Sequence, residues 1–203
     1  MNSGLLIHVE DPGAANWIVP LVPALTESGP AFTLVCEPAL ADYFAARGIA
    51  AAMLDETTDA PTLLARYKPG LVLVGTSENL ASRGLDLIDA ARTAGIASAG
   101  FVDQSGNAEH RFRGRSGNPL AHAPDWLFVP DDAAAAAFAA LGLPDARIIV
   151  TGNPHLDRVR AVAHMLAQEG RAPVRARILP DAPADRPVVI FLAEIGYVVN
   201  PEA

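Results

Sequence analysis

The chain has 203 residues, of which 51% are hydrophobic and 19% are charged. This balance provides for a sizeable core and excludes an intrinsically disordered protein. The formal net charge of −8 at pH 7 argues against nucleic-acid binding through a general basic surface. The length suits one large domain, or one domain followed by a fragment of another.

The cellular compartment is predicted from the single cysteine and from the start of the chain. Cys36 cannot form an internal disulfide, so a buried thiol in the cytoplasm is expected. Residues 2–4 carry no basic charge, and Glu10 and Asp11 interrupt the first apolar run, so a signal peptide is not predicted. The longest apolar run, residues 133–143, is shorter than the roughly 20 residues of a bilayer span. The sequence therefore predicts a cytoplasmic protein without an integral membrane segment.

Short apolar runs alternate with stretches of helical periodicity along most of the chain. The predicted strands are residues 5–9, 32–36, 49–54, 71–75, 96–102, 126–129 and 147–151. The first predicted helix ends near residue 28 and is kinked or irregular because of Pro20 and Pro23. The other predicted helices are residues 39–47, 62–67, 85–94 and 131–141. Strict alternation with short connections implies parallel strands and right-handed crossovers. The predicted fold is α/β, a doubly wound Rossmann-like parallel sheet of about seven strands.

The end of the chain is interpreted as the beginning of a second domain. Residues 148–157 read IIVTGNPHLD, a strand, a turn and the start of an amphipathic helix. A segment rich in Pro, Arg and Ala follows, and residues 188–192 again resemble a buried strand. The predicted organisation is a domain over residues 1–168, a linker over 169–186, and the start of a truncated second domain over 187–203.

Ligands bind at the carboxyl ends of the strands in such sheets, so the turn after the first strand is a candidate site. Glu10 and Asp11 could accept the proton of a substrate hydroxyl, Gly13 allows close approach of a ligand, and Asn16 follows them. The alternative is that Asp11 only caps the next helix, with Pro12 at its first position. The turn lacks the Gly-x-Gly-x-x-Gly fingerprint, so NAD is not expected.

Two further turns carry small polar residues. Thr76 and Ser77 follow the fourth strand and either hold a phosphate or sugar hydroxyl or form an ordinary helix cap. Asn153 and His155 follow the seventh strand in a tight turn, and Pro154 suits the first position of a helix. Taken alone, this last turn is structural.

The loop after the fifth strand carries an acid, two amides and several basic side chains. The substrate-binding candidates there are Asp103, Gln104, Asn107, Arg111 and Arg113. Arginines in this position suit a phosphate, which a guanidinium grips with two hydrogen bonds, whereas the alternative is a solvated basic loop. His110 as a catalytic base is a weaker hypothesis. No metal site is predicted, because the five histidines are scattered and none pairs with Cys or acids at ligand spacing.

Three motifs near the end of the predicted domain carry a family resemblance. Residues 124–130 (PDWLFVP), 141–144 (LGLP) and 150–157 (VTGNPHLD) resemble the end of the amino-terminal domain of GT-B type proteins. These include glycosyltransferases, lipid A disaccharide synthase and the nucleotide-sugar 2-epimerases. The resemblance covers roughly residues 4–169. It departs from part of the family in the first loop, where Asp11-Pro12-Gly13 replaces a Gly-x-Gly-His element, and the second domain would be missing beyond residues 191–196.

The resemblance implies two Rossmann-like domains around a cleft, with the acceptor mainly in the first domain and the nucleotide-sugar donor mainly in the second. The chain would then be the acceptor-side half of a glycosyltransferase-like protein of nucleotide-sugar or surface-polysaccharide metabolism, inactive alone. Asp11 or Glu10 would be the general base, Asp103, Asn107 and Arg111 would orient substrate or balance phosphate charge, and Asn153 would line the cleft. Its partner is a small-molecule or glycan substrate, with the nucleotide sugar as substrate and no cofactor. This reading allows a homodimer.

Two alternatives remain. One is a nucleotide-sugar epimerase or hydrolase of GT-B type, which needs no acceptor. The other is a flavodoxin-like or response-regulator-like binding domain, for which Glu10 and Asp11 supply half of the expected aspartate cluster. Against it, Asp55 is poorly placed and no suitable lysine follows the fifth strand.

Overall fold

The computed structural model describes residues 4–55 and 57–191. Within them, seven strands form one sheet in the order β3-β2-β1-β4-β5-β6-β7, and every neighbouring pair is parallel. The strands are β1 (Leu5–Val9), β2 (Phe32–Cys36), β3 (Ala52–Met53), β4 (Leu71–Gly75), β5 (Ala97–Phe101), β6 (Trp126–Val129) and β7 (Ile148–Val150). The predicted α/β class, with a doubly wound parallel sheet, is confirmed.

Helices connect the strands throughout the described residues. The α-helices are α1 (Pro12–Ile18), α2 (Val22–Ser28), α3 (Ala41–Ala45), α4 (Ala60–Tyr67), α5 (Arg83–Ala94), α6 (Ala108–Arg111), α7 (Asp132–Ala140), α8 (Pro154–Glu169) and α9 (Arg171–Ile178). Short 3-10 helices span Val19–Leu21, Pro38–Leu40 and Asp145–Arg147. The first predicted helix is irregular at its prolines: α1 ends before Pro20, and a 3-10 turn joins it to α2, because proline cannot donate a backbone hydrogen bond.

One strand is much shorter than predicted, and one helix was not predicted. The third strand is only Ala52–Met53, because it lies at the sheet edge and bonds only to Val35 and Cys36 of β2. The polar loop after β5 contains the one-turn helix α6, which the sequence analysis did not predict. This turn places Arg111 in the protein interior.

Two hydrophobic cores lie on opposite faces of the sheet, because side chains alternate along each strand. Leu6 belongs to the core formed with α4, α5 and α7, and Ile7 belongs to the core formed with α1 and α3. His8 is completely buried on the face of Leu6. The central strand β1 therefore carries one polar side chain into an otherwise apolar layer.

The chain divides into two compact units after His155. In the second unit, the stretch interpreted as a linker contains the helix α9, Arg171–Ile178. The strand predicted over residues 188–192 is not observed over residues 188–191, and Leu192 lies outside the described residues. Val189 and Phe191 are 90% and 88% exposed.

The longest helix is α8, with 16 residues. It is shorter than the roughly 20 residues of a membrane span, and it carries charged side chains such as Asp157 and Arg160. In the part of the chain that the structure describes, no helix combines the length and hydropathy needed to cross a membrane.

Gly75 ends β4 at a point where α1 packs directly on the strand. A Cβ there would lie 2.4 Å from the Ala14 Cβ and 2.9 Å from the Phe101 Cζ. We expect Gly75→Ala to lower the free energy of unfolding by about 1–3 kcal/mol, because helix and strand must move apart. Gly106→Ala is the matched control, since a Cβ at Gly106 meets nothing within 4 Å. Urea denaturation checks this, and equal midpoints for the two variants would contradict the packing.

Candidate functional site

Asp11 begins α1 at the carboxyl edge of the sheet. Its backbone is extended, and its Oδ1 accepts a hydrogen bond from the Ala14 N–H at 2.8 Å, with Pro12 at the first helical position. The capping role considered from the sequence is therefore present. Its Oδ2 accepts no hydrogen bond from the described residues. Capping uses one oxygen and leaves the other without a partner in this part of the chain.

Asp103, at the end of β5, brings a second carboxylate to the same place. A Cβ on Gly13 would lie 2.3 Å from the Asp103 Oδ2 and 3.2 Å from the Asp11 Oδ1. Two acids from different strands thus converge on a single glycine. A side chain at Gly13 would force the Asp103 carboxylate to shift, so the glycine makes room for this arrangement.

The environment of Asp11 raises its pKa above the ordinary aspartate value. The largest cause is burial, which penalises the charged form, and the negative charges of Asp103 and Glu10 act in the same direction. The hydrogen bond from Ala14 and the charge of Arg111 oppose this rise without cancelling it. A carboxylate destabilised in this way gains basicity, as a general base that works near neutral pH requires.

Arg111 lies beneath these acids and is only 4% exposed. Its Nη1 is 3.6 Å from the Asp103 Oδ1 and its Nη2 is 3.9 Å from the Glu78 Oε1. Its Nε and Nη2 are enclosed and make no hydrogen bond with the described residues. Asn107 approaches the same acid, donating from its Nδ2 to the Glu78 Oε1 at 2.8 Å. Arg111 is therefore a buried counter-ion of Asp103 and Glu78.

Glu10 is held by three side chains of the segment that precedes α5. Its Oε1 accepts hydrogen bonds from the Ser77 Oγ at 3.1 Å and the Asn79 Nδ2 at 2.8 Å. Its Oε2 accepts a hydrogen bond from the Ser82 Oγ. These hydrogen bonds connect the end of β1 to the start of α5. Because both of its carboxylate oxygens already accept hydrogen bonds, Glu10 is less suited than Asp11 to accept a substrate proton.

Asn153 joins the turn after β7 to the loop after β5. Its Nδ2 donates to the Asp103 backbone oxygen at 2.8 Å, and its Oδ1 accepts from the His155 backbone N–H at 2.9 Å. The His155 Nδ1 is enclosed and has no hydrogen-bond partner in the described residues. This turn therefore fixes the backbone of Asp103, which the sequence alone did not indicate.

Thr76 and Asn16 form structural contacts at the same edge of the sheet. The Thr76 Oγ1 is buried and donates to the Phe101 carbonyl oxygen at 3.1 Å, which seals β4 against β5. The Asn16 Oδ1 accepts from the Tyr43 hydroxyl at 2.6 Å, which ties α1 to α3. Both side chains therefore use hydrogen-bonding groups in maintaining the fold.

The basic cluster predicted after β5 does not converge as a unit. Gln104 is exposed, Arg113 is half-buried, and neither side chain makes a hydrogen bond or ion pair with another described residue. The His110 Nε2 lies 3.5 Å from the Glu109 Oε1. Of the basic side chains in this loop, Arg111 is the one that the structure pairs with the acids of the site.

The sequence analysis missed three residues that shape the site. Glu78 pairs with Arg111, while Asn79 and Ser82 hold Glu10. All three lie in the segment that also supplied Thr76 and Ser77. The usable signal was a run of hydrogen-bonding side chains after a buried strand, which continues past Ser77 to the helix start at Ser82.

A second buried polar cluster joins the ends of β1 and β2 to α5. The His8 Nε2 lies 3.1 Å from the Glu37 Oε1, and the Arg83 Nε lies 3.3 Å from the same oxygen. Arg83 also donates from its Nη1 to the Asp55 carbonyl oxygen at 2.9 Å. The hydrogen bond with His8 is the main reason that the pKa of Glu37 lies below its ordinary value. The sequence signal for this cluster was a histidine within the apolar run LLIHV.

Solved structures of similar fold include several UDP-GlcNAc 2-epimerases. The enzyme of Neisseria meningitidis, bound to UDP-GlcNAc, has a TM-score of 0.64 and 14% identity and matches 89% of this chain and 54% of its own. S. aureus MnaA, in a co-structure with UDP, has a TM-score of 0.64 and 17% identity and matches 86% of this chain and 50% of its own. A putative UDP-N-acetylglucosamine 2-epimerase from Listeria monocytogenes has a TM-score of 0.61 and 17% identity and matches 79% of this chain and 47% of its own. This is a GT-B amino-terminal fold.

The resemblance to GT-B proteins is therefore confirmed at the level of fold. The chain spans about half the length of these epimerases. No protein-family model and no curated protein matches the sequence. Sequence identities this low relate folds, and fold alone does not establish an activity.

The raised pKa of Asp11 predicts how stability changes with pH. Because the folded protein binds the Asp11 proton more tightly than the unfolded chain does, the free energy of unfolding of the wild type falls as pH rises through the window between the ordinary and the raised pKa. Asp11→Asn keeps a capping side chain and loses this dependence. We expect the stability of Asp11→Asn relative to wild type to increase as the pH rises above about 4, the ordinary pKa of an aspartate.

Urea denaturation across that pH range measures the difference. Asp11→Ala is the control, because it also lacks the carboxyl but removes the cap as well, so it should be about 1 kcal/mol less stable than Asp11→Asn at every pH. A difference between wild type and Asp11→Asn that stays constant with pH would contradict the raised pKa.

Proposed function

We propose that this chain is the acceptor-side half of a glycosyltransferase-like GT-B protein that acts in nucleotide-sugar or surface-polysaccharide metabolism in the cytoplasm. The observation that carries the proposal is the Asp11 carboxylate, which is partly buried, has a raised pKa, and faces Asp103 across Gly13. It lies at the carboxyl edge of a parallel sheet, where such folds bind their ligands.

Asp11 is the general base in this proposal. The acceptor hydroxyl gives its proton to Asp11 while its oxygen forms a bond to the anomeric carbon of the donor sugar. The bond between that carbon and the phosphate oxygen breaks, and the nucleoside diphosphate leaves with the electron pair. The nucleotide sugar is a substrate, and this step uses no cofactor.

The neighbouring residues have supporting roles in the proposal. Asp103 accepts a hydrogen bond from a second acceptor hydroxyl, and its position is set by Arg111 and Asn153. Gln104 is exposed on the same loop and contacts the bound sugar at the rim of the site. Glu10 holds the start of α5 in place, because its oxygens are already bonded.

The donor is proposed to be a UDP-sugar held mainly by a second domain. The epimerases that share this fold are about twice as long as the matched region, and two of them were solved with UDP-GlcNAc or UDP. Turnover would therefore require groups that this domain does not supply.

The half-site proposal predicts that the isolated chain does not turn over. Incubation of the 203-residue chain with UDP-GlcNAc, with and without a mixture of neutral acceptor sugars, is expected to release no UDP above the no-protein background. Coupled detection of UDP provides the measurement. UDP release in proportion to chain concentration would show that the chain contains a complete site.

A nucleotide-sugar epimerase is the second candidate. The paired carboxylates of Asp11 and Asp103 favour it, because inversion at a carbon centre needs one group to remove a proton and another to deliver one. The two reactions are separated by their requirement for an acceptor. An epimerase or hydrolase consumes the nucleotide sugar alone, whereas a transferase does not.

The general-base role predicts a large kinetic effect of Asp11→Asn. In the protein that contains this domain together with its donor domain, we expect kcat to fall by about 10²–10⁴-fold, with KM changed little because Asn keeps the size and the cap. Asp145→Asn is the control, because Asp145 is exposed and precedes β7 at the opposite edge of the sheet. Unchanged turnover in Asp11→Asn would reject the role.

A further inference from the structure

At the candidate site, the acidic side chains are partly exposed to solvent, whereas the side chain of Arg111 is buried. The side chains of Asp103 and Glu78 are 31% and 24% exposed, whereas that of Arg111 is 4% exposed. Asp11 is partly exposed beside them. A ligand that approaches this edge of the sheet therefore meets carboxylate oxygens first.

Arg111 cannot grip an anion with two parallel hydrogen bonds in this arrangement. Its Nε and Nη2 are enclosed by protein, so a ligand oxygen cannot reach the face of the guanidinium that would grip a phosphate with two hydrogen bonds. Its Nη1 and Nη2 point towards Asp103 and Glu78, at 3.6 Å and 3.9 Å. Arginine keeps its charge at all relevant pH values, so it offsets only part of the charge of the surrounding acids.

We infer that the sugar bound at this site is uncharged, and that sugars carrying a carboxylate or a phosphate are rejected. This inference rests on the proposed function and specifies the substrate class of the same site. It replaces the phosphate-binding role that the arginines suggested in the sequence. Carboxylates accept hydrogen bonds from sugar hydroxyls, and the amides of Asn107 and Gln104 lie in the same loop.

The size of the preference follows from simple electrostatics. One uncompensated negative charge about 6 Å from an anionic ligand, at the effective dielectric constant of about 20 found near protein surfaces, weakens binding by about tenfold or more. An uncharged sugar of the same shape pays no such penalty. The preference should therefore appear in matched pairs of sugars that differ only in the charged group.

The experiment titrates the 203-residue chain with three matched pairs and follows the backbone amide resonances of Gly13, Gln104 and Asn107. The pairs are methyl glucoside with methyl glucuronide, methyl galactoside with methyl galacturonide, and N-acetylglucosamine with its 6-phosphate. We expect at least one neutral sugar to shift these resonances, with its charged partner binding about tenfold or more weakly.

Glu78→Gln tests whether charge causes the preference. The variant removes one negative charge with almost no change in shape, and a glutamine oxygen can still accept from the Asn107 Nδ2. We expect the ratio of the two dissociation constants, that of the charged sugar over that of the neutral sugar, to fall several-fold. Asp145→Asn is the matched control, because it removes the same formal charge at the opposite edge of the sheet and should leave the preference unchanged.

The outcomes separate this inference from the proposed function. The inference and the proposed function are both supported if the neutral sugar binds more tightly than its charged partner, and if this difference in affinity becomes smaller in Glu78→Gln but is unchanged in Asp145→Asn. Equal or tighter binding of a charged sugar overturns the inference and leaves the sugar-binding role in place. A preference that Glu78→Gln does not change overturns the electrostatic origin, and with it the inference. If no sugar of either kind shifts the resonances, both the inference and the acceptor-side function are wrong.

Discussion

Parallel hydrogen bonding of β1 to β2 on one side and to β4 on the other is the constraint on which the site depends. Strands that run in the same direction end at the same edge, so residues far apart in sequence meet there. Glu10 then bonds to side chains that lie 67 to 72 positions away. The candidate site thus consists of loops fixed by one rigid sheet, an arrangement that supports precise positioning.

The polar groups at this edge divide into two kinds. Glu10, Glu37 and Arg83 are satisfied by protein partners and hold the start of α5 against the ends of β1 and β2. Asp11 and Asp103 have oxygens without protein donors in the described residues, and a buried arginine lies behind them. The first kind stabilises the edge, and the second remains available for a ligand. Burial of Asp11 carries a cost in stability that a purely structural cap would not need.

Much of the fold was predictable from the sequence, because short apolar runs such as LVLVG are typical of strands buried on both faces. Polar side chains also gather at the turns after β1, β4 and β5, which the sequence indicated as candidate sites. Their contacts were not predictable, because they depend on strand order and on which atoms face inward. Arg111 illustrates this: a position in a polar loop suggests exposure, yet one turn of helix places its side chain in the interior.

Gly13 separates two acids by occupying almost no space between them. A glycine that is favoured because it has no side chain can be recognised directly in a sequence. In a chain that carries alanine or serine at this position, the Asp103 carboxylate would have to shift away from the place it occupies here. The residue at this position can therefore be used to sort homologous chains. Those with glycine can hold Asp11 and Asp103 close together as here, and those with a larger residue would hold the second acid elsewhere.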